Sequence, residues 1–213
     1  NHLYVVLGLA FLAFLVVFGS MAGSVALGAA LLSYVGSVCY LYQSIRSGRV
    51  VLGLVSLITL VGVLLGTPQL VDSVSPLALV LWLSDGPTSG LLLGVTLGAM
   101  LLGHWYLNTP SMQMAPLRQL LALMVAALFL RMLVCGIGLG ATCMEGPIPA
   151  PWFVVLRWVT GLASPLVMAW MVERTLRIPN TQSATGILYV AAVTVFTGEL
   201  MSQLLSVTTT YPL

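Results

Sequence analysis

Three ionisable side chains, Arg131, Arg157 and Glu199, sit inside runs that are otherwise almost wholly apolar. A charge in hydrocarbon is costly, and a helical bundle keeps one chiefly where it meets a partner, a cavity or a ligand. Counted from the arginine-bearing ends of their runs at the helical rise, all three arrive at roughly 22 Å depth. Their chemistry is that of a buried polar cluster, with Gln203 one turn beyond Glu199 to add a hydrogen bond. One carboxylate answers only one of two guanidinium groups, so this reading leaves about one positive charge in a poorly solvated place. A substrate oxygen, a lipid headgroup, an acidic cofactor group or a neighbouring subunit would have to meet it. An ion-paired pin that registers three helices is the rival account, and Arg157, close to the start of its run, would also reach the surface by snorkelling.

A second group is Gly103-His104-Trp105-Tyr106-Leu107-Asn108-Thr109-Pro110, followed by Met112, Met114 and Arg118. Tryptophan and tyrosine belong at membrane interfaces because their rings are apolar at one end and polar at the other. His104 is different, since the only other histidine is His2. An imidazole beside aromatic rings and near an arginine can hydrogen-bond a quinone carbonyl and exchange a proton with it at neutral pH. His104, Trp105, Tyr106 and Arg118 are therefore the quinone-binding candidates. The plainer account is an interfacial histidine bonded to a backbone carbonyl or to water.

Other chemistries find no support. A bis-histidine haem needs two well-placed histidines and only His104 qualifies. Neither paired acids for a di-metal site, nor a glycine-rich phosphate loop, nor a Cys/His cluster occurs, and Cys39, Cys135 and Cys143 lack metal-ligand spacing. The expectation is no metal and no intrinsic cofactor, with quinone and lipid as the molecules bound. Cys135 and Cys143 are placed for a disulfide in an oxidising compartment, or they are thiols acting as small hydrophobes.

The elements that must hold these groups are membrane helices. With 60% hydrophobic and 6% charged residues and a mean hydropathy of +1.10, the chain reads as an integral membrane protein. A crossing needs about 20 apolar residues. Such runs fall at residues 3–19, 22–43, 50–66, 88–107, 117–139, 152–172 and 184–206, giving an all-α polytopic bundle of about seven helices in a single domain. Residues 67–87, with Pro68, Pro76 and Asp85-Gly86-Pro87, read as an irregular outer region whose apolar patch at 77–83 is too short to cross. Gly90, Gly94 and Gly98 form a small-residue seam suited to close helix packing. Pro165, four residues after Gly161, predicts a kink.

Sidedness follows from charge. Arg46, Arg49, Arg118, Arg174 and Arg177 occupy alternate connections, while the others carry Asp72, Asp85 and Glu145. The positive-inside rule makes the arginine-bearing side cytoplasmic, with the amino terminus inside and the carboxyl terminus outside. The expected home is a bacterial inner membrane. The net charge of +2 comes from arginine alone and carries no nucleic-acid signal.

This plan, a histidine-poor helical bundle with an interfacial His-Trp-Tyr group and buried arginines, resembles the cofactor-free membrane anchors of respiratory oxidoreductases. The likeness is one of architecture and not of motif. It implies a membrane subunit of an electron-transfer complex that anchors redox partners and contributes a quinone site or proton path. His104 would exchange the proton, Trp105 and Tyr106 would wall the headgroup pocket, and Arg118 would bias it electrostatically. The rivals are a small-solute transporter using Arg131, Arg157 and Glu199 as its substrate site, and a pure scaffold subunit.

Overall fold

The computed structural model describes residues 21–66, 75–108, 113–148, 150–178, 180–206 and 209–213, so the expected first crossing at 3–19 lies outside the described residues. Every described element is a helix: α1 (Met21–Leu41), α2 (Ile45–Gly66), α3 (Pro76–Asn108), α4 (Ala115–Glu145), α5 (Pro151–Trp158), a π turn (Val159–Ala163), α6 (Ser164–Arg177) and α7 (Thr181–Ser206). Five segments among the described residues are long and apolar enough to cross a bilayer: Ile45–Gly62 in α2, then α3, α4, the rod Pro151–Arg177 and α7. They mark an integral membrane protein, with five candidate crossings where the apolar runs lead one to expect seven.

The chain divides into two compact units, residues 1–69 and 70–213. In the first, α1 and α2 form a helical hairpin. Gln43 makes the turn in the left-handed region at φ 58°, and α2 starts at Ile45, so Arg46 lies in its first turn and Arg49 at the start of its second, not in a loop. Gly36 lets α2 approach, because a Cβ there would stand 3.2 Å from Val51 Cγ1.

In the second unit α3 packs on α4 and α7, and the rod α5–π–α6 packs on α7. Their shared core includes Leu92, Met124, Leu128, Leu162, Leu188 and Val195. The irregular outer region expected at 67–87 is corrected over its second half, since α3 begins at Pro76 and runs unbroken through Pro87 to Asn108. Residues 67–74 lie outside the described residues. Ser75 caps α3 by accepting the Ala78 N–H at 3.2 Å, and Pro76 takes the first helical position, where a missing N–H costs nothing. Around Pro87 the Thr88 hydroxyl donates to the Ser84 carbonyl at 2.7 Å, and Arg131 Nη1 donates to the Asp85 carbonyl at 3.3 Å. Side chains thus add bonds to the two carbonyls that follow Leu83, whose own helical donor would be the N–H that Pro87 lacks.

Pro165 leaves a different mark from a simple kink. It lacks the N–H that would bond to the Gly161 carbonyl, and the helix before it widens into the π turn, with Ser164 N–H bonding to Val159 O. The glycine seam takes no part in packing within the second unit: a Cβ on Gly90, Gly94 or Gly98 would meet none of its atoms within 4 Å. Close packing occurs instead at Gly161 and Gly198, where a Cβ on Gly161 would come 2.7 Å from the Gly198 Cα.

Candidate functional site

Four helical segments deliver one charged group each to the middle of the second unit. Asp85 comes from α3, Arg131 from α4, Arg157 from α5 and Glu199 from α7, and all four are buried. The depth shared by Arg131, Arg157 and Glu199 becomes contact because Gly161, one turn after Arg157, lies against Gly198, the neighbour of Glu199. Two glycines let the backbones touch, and the guanidinium then reaches the carboxylate.

Arg131 is the hub. Its Nε donates to Glu199 Oε1 at 3.1 Å and Nη2 to Oε2 at 2.7 Å, the bidentate fork that suits arginine to carboxylate. Nη1 donates to Asp85 Oδ1 at 2.6 Å and to Thr88 Oγ1 at 3.3 Å, and Nη2 also meets Ser202 Oγ at 3.3 Å. Arg157 donates from Nη2 to Glu199 Oε1 at 3.3 Å and contacts Cys135 Sγ at 3.2 Å. Its Nη1 and the neighbouring Trp158 Nε1 are buried without a partner among the described residues.

Two side-chain cations now face two side-chain anions, so the side-chain charges balance, and the expectation of a surplus positive charge is corrected by Asp85. Gln203 is corrected as well: it lies on the exposed face of α7, and Ser202 makes the polar contact. Cys39, Cys135 and Cys143 are all free, with Cys135 in the cluster and Cys143 exposed.

Residues 209–213 fold back over this cluster. The Leu213 carbonyl accepts from Arg157 Nε at 3.0 Å and from Ser202 Oγ at 2.6 Å. Trp82 Nε1 donates to the Thr210 carbonyl at 2.8 Å, and Tyr211 Oη to Glu145 Oε1 at 2.6 Å. Pro212 lies against Gly138, where a side chain would collide with its carbonyl.

The quinone candidates lie near the opposite end, and the structure does not gather them. Successive helical residues point about 100° apart. Tyr106 turns inward, 1% exposed, and donates to the Gln113 carbonyl at 2.6 Å, while Trp105 is 60% exposed. Arg118 donates from Nη2 to the Leu176 carbonyl at 3.1 Å. A pocket walled by Trp105 and Tyr106 around His104 is thus excluded by their directions. The aromatic partner of His104 is Tyr189 of α7, whose Oη lies 3.2 Å from Nδ1. The rings meet edge to face, with centroids 6.2 Å apart and both residues exposed.

Among the described residues no group of three metal-ligating side chains occurs. Comparison with protein families, with characterised proteins and with solved structures gives no match. Helix pattern and site define the class at the level of an all-helical integral membrane protein with a neutral buried ion network.

Proposed function

We propose that this chain is the membrane subunit of an electron-transfer complex in a bacterial inner membrane, anchoring redox partners and offering a quinone headgroup a proton-exchanging contact at His104. The observation that supports this reading is the exposed His104–Tyr189 pair. A phenol at Nδ1 fixes the ring's orientation, while among the described residues Nε2 has no hydrogen bond. An imidazole held this way can donate to a quinone carbonyl and hand over a proton as the partner's electrons arrive. The contact is a two-residue edge on the lipid-facing surface and not an enclosed pocket.

The interior quartet belongs to a different task. Asp85 removes the unanswered charge that gave solute transport its motive, so the quartet is better read as a pin that holds four helical segments in register, as a scaffold requires. The test is quinone binding by the purified chain in nanodiscs, followed by quenching of tryptophan fluorescence with decylubiquinone. Saturable quenching that His104→Ala abolishes and Tyr189→Phe weakens supports the proposal. Identical quenching in all three proteins removes it.

A further inference from the structure

Near the end of the second unit where Arg118 bonds the Leu176 carbonyl, three arginines stand on two adjoining helix ends, with Glu173 the one acid on those ends among the described residues. That bond, at 3.1 Å, sets the start of α4 beside the last turn of α6, which carries Arg174 and Arg177. Glu173 is the acid, 3.6 Å from Arg177 and half-exposed, so the corner keeps two surplus positive charges, three cations against one anion. All three arginines are exposed. Arg174 is held by stacking on Trp170, with its guanidinium carbon 5.3 Å from the ring centroid.

The face of α6 below these cations is apolar and open. Val167, Trp170 and Met171 are exposed, and Arg174 and Arg177 follow them toward the helix end. One exposed strip therefore runs from apolar side chains, through a tryptophan of the type that favours the headgroup level, to a basic cap. A soluble anion would need only the cap. A molecule with an acyl chain and an anionic head matches the whole length.

We propose that this corner is a binding site for an anionic phospholipid, with the phosphate between Arg118 and Arg174 and an acyl chain along Val167, Trp170 and Met171. Basic corners between membrane helices hold such headgroups, and each arginine near an anionic surface contributes about 1 kcal/mol, equivalent to about fivefold in affinity. Arg118 contributes although its Nη2 is engaged, because its other nitrogens have no partner among the described residues.

Native mass spectrometry of the detergent-purified chain, titrated separately with phosphatidylglycerol, phosphatidylcholine and inorganic phosphate, tests the site. The expected result is preferential retention of phosphatidylglycerol, weakened about fivefold by Arg118→Gln and again by Arg174→Gln, largely kept by the corresponding lysine variants, and unchanged by Arg49→Gln. Equal retention of both lipids would overturn the proposal, as would an Arg49→Gln effect as large as that of Arg174→Gln. Inorganic phosphate competing as well as lipid would reduce the corner to a simple anion site. Polyglutamate binding as tightly as lipid would assign it to an acidic protein partner.

Discussion

Arg131 and Glu199 form a bidentate pair inside the bundle, Nε to Oε1 at 3.1 Å and Nη2 to Oε2 at 2.7 Å, leaving Nη1 for Asp85 at 2.6 Å. One guanidinium thereby ties α4 to α7 and α3 at once. Glu199 in turn reaches Arg157 at 3.3 Å, so the fourth segment joins through the same carboxylate. Removing that carboxylate disconnects two cations, whereas removing Asp85 disconnects one.

The Glu199→Gln variant therefore leaves Arg131 with Asp85 alone and Arg157 with no carboxylate partner among the described residues. Breaking a buried pair by neutralising one partner costs about 3–5 kcal/mol, because the other charge is stranded. Reversible unfolding in mixed SDS micelles reads this directly. A loss below about 1 kcal/mol would mean that water or lipid already solvates the cluster.

Neutrality also predicts a sign. Arg157→Met alone leaves a surplus anion and Glu199→Gln alone a surplus cation, while the double variant keeps only the balanced Arg131–Asp85 pair. The double variant should be more stable than the Glu199→Gln protein, with a coupling of about 0.5–3 kcal/mol between the sites. Additive losses would show that the two residues act separately.

Glycines should divide by what surrounds them. Gly198→Ala forces a methyl into the Gly161 backbone and should cost about 1–3 kcal/mol or more while parting α7 from the π turn. Gly94→Ala meets nothing within 4 Å and should change stability little. Thermal melting of both variants in one detergent checks the contrast, and similar melting points would contradict the packing described.

Much of this arrangement could be read from the chain. Helical rise is nearly constant, so counting along three apolar runs set Arg131, Arg157 and Glu199 at one level, and the structure joins them. Asp85 escaped because Asp85-Gly86-Pro87 carries the local chemistry of a turn. One tertiary contact and one local bond support the helix there: Arg131 holds the Asp85 carbonyl and carboxylate from α4, and Thr88 back-bonds to Ser84 within α3. An acid two residues beyond the apolar patch at 77–83 was the available signal. Tyr106 misled in another way, since neighbours in sequence diverge around a helix, whereas Tyr189 reaches His104 across 85 residues only because α3 and α7 pack together. The glycine seam was a true pattern without a partner inside the second unit, while Gly161, solitary in its run, and Gly198, twelve residues after Gly186, made the close crossing.

Photoaffinity labelling with an azidoquinone tests most directly whether quinone meets the His104–Tyr189 edge and not the buried quartet. With the native membrane protein labelled and its peptides mapped by mass spectrometry, modification should fall around His104 and Tyr189 and disappear in His104→Ala. Labelling concentrated around Asp85, Arg131, Arg157 or Glu199, with the region of His104 unmodified, would contradict the proposed contact.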